Sequence, residues 1–140
     1  MDRLDDFIIF MATMNKRFKK AMTTTLQPYG LNGMHAVYLK AIGVSPGITL
    51  RELSKTVRCD GANTSRAISI LEENGFVCDD RKDLSSKKYR LYLTKSGTDA
   101  LNEVNQKMRE FHQKTLDELS LDEQEQFLSL VKKLLVTTLD

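Results

Sequence analysis

A chain of 140 residues, with 21 Lys and Arg against 19 Asp and Glu, two cysteines and no tryptophan, is expected to form one globular domain with a core of its own. No apolar run approaches the roughly 20 residues of a transmembrane helix, and Asp2, Asp5 and Asp6 break the start where a secretory signal would lie. A cytoplasmic location is therefore expected, and a net charge of +2 points to a positive face rather than a positive whole.

In chain order, Leu4, Phe7, Ile8, Met11, Met14, Phe18, Met22 and Leu26 recur at helical spacing, predicting a helix over Leu4–Leu26 that Pro28, Tyr29 and Gly30 stop. One neighbour cannot cover so long an apolar stripe, which points to a partner chain. Asn32 caps a second helix reaching Ile42, and Gly43–Gly47 with Pro46 forms a loop. Thr49-Leu50-Arg51-Glu52 is a capping box that opens a short helix through Leu53 and Val57. Asp60 caps the next helix, Asp60–Asn74, and Gly75 stands at its stop position. Two helices joined by so short a turn read as a helix-turn-helix.

Phe76-Val77-Cys78 and Tyr89–Leu93 have strand character around a polar stretch, so a β-hairpin wing over Val77–Leu93 follows that helix. Between Arg81 and Arg90, the cations Arg81, Lys82, Lys87, Lys88 and Arg90 stand against the single acid Asp83. Thr94 caps a long helix to Leu116 with apolar positions Leu101, Val104, Met108 and Phe111. Ser120-Leu121-Asp122-Glu123, a second capping box, opens the last helix, whose stripe is Phe127, Leu128, Val131, Leu134, Leu135 and Leu139. The fold class is mainly α with a small β-hairpin: a winged helix-turn-helix lobe (31–95) between an N-terminal dimerisation helix (1–30) and C-terminal dimerisation helices (96–140).

On a wheel of about 100° per residue, Thr64, Ala67, Ile68, Ile70 and Leu71 turn inward. Gly61, Ala62, Ser65, Arg66 and Ser69 lie opposite, a small hydroxylated face with one arginine. Small residues let a helix sink into a major groove about 12 Å wide, where Arg66 can bind guanine with two hydrogen bonds or clamp a phosphate. The expected partner is double-stranded DNA, with contacts from Thr49, Gly61, Ala62, Asn63, Ser65, Arg66, Ser69, Arg81, Lys82, Ser86, Lys87 and Lys88. A solvated helix and a solubilising charged loop are the plain alternatives for these two elements.

The run Asp60-Gly-Ala-Asn-Thr-Ser-Arg-Ala-Ile-Ser-Ile-Leu-Glu-Glu-Asn-Gly-Phe-Val77, then a polar wing and Leu93-Thr94-Lys95-Ser96-Gly97, resembles the MarR family of bacterial and archaeal regulators. The resemblance implies a homodimer with interlocking terminal helices that reads a palindromic operator through two recognition helices. It also implies release of DNA by a small, often aromatic, effector, for which Phe7, Phe10, Met11, Met14, Tyr38 and Phe111 are candidates. The family's wing carries an Asp-Arg-Arg-like tip where this chain has Ser85-Ser86-Lys87, so phosphate contact by lysine is expected in place of arginine in the minor groove.

Some relatives sense oxidants through a cysteine in the first helix, but none lies between Met1 and Arg58. Cys59 and Cys78 flank a helix roughly 22 Å long at about 1.5 Å per residue, far beyond the roughly 7 Å between Cα atoms that a disulfide allows. Cys59, beside the helix cap, reads as a small hydrophobe rather than a sensor. His35 and His112 make no metal site, no cofactor motif exists and no catalytic constellation stands out, so an enzyme is not expected. The rival functional class is a winged-helix protein-interaction module with only non-specific affinity for DNA.

Overall fold

The computed structural model describes residues 2–83, 85 and 88–138. Its elements run α1 (Arg3–Leu26), a 3-10 turn (Gln27–Tyr29), α2 (Gly33–Val44), β1 (Ile48–Thr49), α3 (Leu50–Val57), α4 (Gly61–Glu73), β2 (Val77–Asp79), β3 (Arg90–Leu93), α5 (Lys95–Leu116) and α6 (Leu121–Thr138). Among the described residues, no helix is long and apolar enough to cross a membrane.

The chain divides into two compact units, Met1–Lys107 and Met108–Asp140. Their boundary falls inside α5, later than the start of the expected C-terminal segment. In the first unit, Leu26 of α1, Leu39 and Ile42 of α2, Leu53 of α3, Leu71 of α4 and Leu91 of β3 are fully buried together with Val104 of α5. Each such side chain contributes about 1.5–3 kcal/mol by leaving water.

The helix ends follow the capping chemistry legible in the sequence. The Asn32 side chain accepts from the Met34 and His35 N–H groups, and the Asn32 backbone N–H donates to His35 Nδ1 at 3.0 Å. A histidine thus completes a capping box where a glutamate is usual. Burial lowers the His35 pKa, favouring the neutral ring that this acceptor role needs. Thr49 and Glu52 form the expected box at α3, at 3.2 and 3.0 Å. Ser120 and Glu123 form another at α6, at 3.2 and 2.9 Å.

The sheet has order β1-β3-β2, antiparallel throughout, with Ile48 opposite Leu91 and Val77 opposite Leu93. The hairpin was expected; β1 was not, because two residues after Pro46-Gly47 give no periodicity. The strands also begin one residue later than expected, leaving Phe76 and Tyr89 outside them.

At the head of α5, the Thr94 hydroxyl donates to the Gly75 carbonyl at 2.6 Å and accepts the Gly97 N–H at 3.1 Å. The Thr94 N–H donates to the Phe76 carbonyl at 3.1 Å. A Cβ on Gly97 would collide with that same Phe76 carbonyl oxygen. The Thr94-Lys95-Ser96-Gly97 run therefore fastens α5 directly onto the root of the wing.

Candidate nucleic-acid interface

Helix α3 ends in a tight reversal. Arg58 takes a left-handed conformation (φ 58°), its N–H reaching the Lys55 carbonyl while the Cys59 N–H reaches the Ser54 carbonyl. Such a stop favours glycine. Two residues later Asp60 caps α4, accepting the Asn63 N–H at 2.7 Å. The far end closes in a Schellman motif: Phe76 N–H to Leu71 carbonyl at 2.9 Å and Gly75 N–H to Glu72 carbonyl at 3.0 Å, with Gly75 at φ 79°. Both ends of the helix-turn-helix are thus fixed by local bonds.

The buried positions of α4 are Thr64, Ile68 and Leu71, one stripe at i, i+4 and i+7. Thr64 is tolerated there because its hydroxyl lies 3.2 Å from that of Tyr38 on α2. Ile70 corrects the sequence expectation: it is 39% exposed, since it sits about 100° away from Leu71 on the helix.

The opposite face is as expected. Gly61, Ala62, Asn63, Ser65, Arg66 and Ser69 are all exposed. Asp60 Oδ2 accepts from the Asn63 amide at 2.9 Å, and the Asn63 carbonyl oxygen accepts from Arg66 Nη2. Arg66 is thereby held in one direction by a relay that starts at the helix cap. A Cβ on Gly61 would meet nothing within 4 Å, and its backbone is unstrained. The chain's own packing does not demand a glycine at this point.

Thr49 is half-buried and its hydroxyl is used as the α3 cap. Arg51 and Lys55, not singled out from the sequence, are exposed one helical turn apart on α3; their i, i+4 spacing was the signal that would have found them.

In the wing, Lys82 and Lys88 are exposed, whereas Ser86 and Lys87 lie outside the described residues. Arg81 is engaged instead: its Nη2 lies 2.8 Å from Asp79 and 3.4 Å from Glu72, and its guanidinium stacks 3.8 Å over the Tyr89 ring.

Of the effector candidates, Phe7, Phe10 and Met11 are exposed on α1 and Met14 is half-buried. Phe111 on α5 is half-buried and meets the His112 ring edge-on. Tyr38 is 1% exposed and belongs to the core around Thr64. Cys59 and Cys78 are unbridged. Among the described residues no group of His, Cys, Asp and Glu is arranged to hold a metal.

No protein-family model matches the chain. It is 26% identical over 128 residues to the HTH-type transcriptional regulator BilQ of Clostridium symbiosum, covering 91% of this chain and 89% of that one. Among solved structures, a MarR transcriptional regulator from Methanosarcina mazei superposes with a TM-score of 0.79 at 18% identity, over 99% of this chain and 92% of that one. A mutant of S. aureus MepR bound to an oligodeoxyribonucleotide superposes with a TM-score of 0.69 at 17% identity, over 98% of both chains. Helix order, hairpin and chain-long superposition bear out the resemblance read from the sequence: the chain has the winged helix-turn-helix fold of the MarR-family regulators.

Proposed function

We propose that the chain is a cytoplasmic, sequence-specific duplex-DNA-binding regulator that acts as a homodimer on a palindromic operator. The observation that carries this reading is the outward face of α4 from Gly61 to Ser69, where five small or polar residues and one tethered arginine stand exposed without an acid among them. A solvated helix of this length would carry long charged side chains; this one keeps its backbone accessible, down to a Gly61 that its own fold does not require. The helix enters the major groove, where Arg66 reads a guanine edge or grips a phosphate and Asn63, Ser65 and Ser69 reach backbone or base edges. Thr49 of α3 and Lys82, Ser86, Lys87 and Lys88 of the wing supply phosphate contacts. That a relative of the same fold binds an oligodeoxyribonucleotide supports the assignment.

The apolar faces of α1 and α6 join two copies, setting the recognition helices about 34 Å apart, one turn of duplex. In this reading the regulator is a repressor released by a small aromatic effector, for which Phe7, Phe10, Met11 and Met14 of the first unit and Phe111 of the second are candidate contacts.

Selection of bound duplexes from a random pool tests it. A palindrome should emerge, and Arg66→Ala should weaken binding to it by about 1–3 kcal/mol if Arg66 reads a guanine edge, or weaken all duplexes about equally if it grips a phosphate. Equal affinity for all sequences would favour the protein-interaction module instead. Repeating the selection with aromatic acids tests the effector.

A further inference from the structure

Arg81 sits between two carboxylates and an aromatic ring, which are not the surroundings of a phosphate clamp. Three segments converge on it: the end of α4 through Glu72, β2 through Asp79, and the residue before β3, Tyr89. Its Nη2 meets both carboxylates, its N–H donates to Asp79 Oδ1 at 2.9 Å, and the Tyr89 ring lies beneath its guanidinium. The Arg81 and Asp79 side chains are only 18% and 13% exposed. Glu72 Oε1 and Arg81 Nε are themselves buried within the cluster.

We propose that Arg81 is a positioning residue that, with Glu72 and Asp79, clamps the root of the wing to the C-terminal end of α4, so that wing and recognition helix present one fixed surface to DNA. This rests on the DNA-binding reading above. Lys82 and Lys88, exposed beyond the clamp, do the touching.

The clamp holds two carboxylates and one guanidinium, so its charge depends on a proton. The groups facing Glu72 are Asp79 on β2, Arg81 and Tyr89. Burial, and after it the facing Asp79, push the Glu72 carboxyl up to about 7 against the opposing pull of Arg81. The Arg81 guanidinium holds Asp79 below its usual range, so Asp79 stays ionised. With Glu72 protonated the clamp is neutral and closed. With Glu72 ionised, a net negative charge appears at the foot of a surface meant for phosphates.

The test measures affinity for the selected duplex at pH 6, 7 and 8 and across a salt series, with wild type, Glu72→Gln, Arg81→Gln and the double variant. Wild-type affinity should fall about two- to fivefold from pH 6 to 8, the scale of one partly screened charge. Glu72→Gln should hold its pH 6 affinity at pH 8, and the double variant should bind no worse than Arg81→Gln. Should Arg81→Gln not fold, Arg81→Lys keeps the charge but loses the two-pronged geometry; it should weaken binding without altering the salt slope. Parallel pH profiles for wild type and Glu72→Gln overturn the clamp. So does a salt slope reduced by about 0.9 in Arg81→Gln, with the Glu72 effect still additive, the mark of a direct phosphate contact. If Arg66→Ala changes no affinity at all, the DNA reading itself has failed and the clamp falls with it.

Discussion

Helices α4 and α6 both leave most of their surface in water, but the surfaces differ in kind. Helix α4 buries Thr64, Ile68 and Leu71 and exposes glycine, alanine, serine, asparagine and arginine. Helix α6 buries nothing, and Phe127, Leu128, Leu130, Leu134, Leu135 and Val136 are all exposed. The first helix has finished packing and offers what remains to a polar partner. The second has a hydrophobic stripe still to be covered, as has the start of α1, where Leu4, Phe7, Ile8, Ile9, Phe10 and Met11 are exposed. Surface patches of that extent mark interfaces. Exposure alone separates neither case; the chemistry of what is exposed does.

Breaking that contrast is straightforward. Leu71→Ala, at a fully buried site in α4, should cost about 2–5 kcal/mol, read as a lower midpoint in denaturant unfolding. The paired change Leu128→Glu with Leu134→Glu adds charge to side chains already in water in the single chain. It should leave the fold of the first unit intact, as read by circular dichroism, while sedimentation shifts from dimer to monomer. A double variant that still sediments as a dimer would remove α6 from the interface.

The smallest effect concerns the boundary between the two kinds of surface. The Glu72 carboxyl is raised in the folded chain to about 7 from an ordinary 4.5. Its contribution to stability is therefore fully present below pH 4.5 and is lost as pH rises through about 7. Glu72→Gln should flatten that decline, with unfolding midpoints converging on wild type toward pH 5 and exceeding it at pH 8. His35, whose pKa burial lowers, pulls the other way, losing stability as the solution is acidified below its ordinary 6.5. A comparison at matched pH cancels it.

Most of the architecture was readable because it is written locally. Asn32, Thr49, Asp60, Thr94 and Ser120 each stand beside the backbone N–H groups they satisfy, and apolar spacing gave the six α-helices. What escaped is what depends on distant partners. Ile70 belongs to the apolar half of a wheel drawn from the sequence, yet the lobe's core meets only a narrow stripe of α4. Tyr38 and Phe7 look alike as aromatics at helical spacing, but one is sealed against Thr64 and the other lies 55% exposed. Arg81 reads as one more wing cation until the hairpin brings it back to Glu72, nine residues earlier. Strand β1 exists only because β3 pairs with it.

The absent side chain of Gly97 has a mechanical consequence. With the Phe76 carbonyl filling the space a methyl group would need, and with Thr94 bonded to both Gly75 and Phe76, the joint between the head of α5 and the strand that starts the wing has no slack. Its first turn cannot roll or slide without carrying Phe76 along, and a small rotation there arrives at the wing as a displacement, transmitted through backbone rather than absorbed by a compliant layer of side chains.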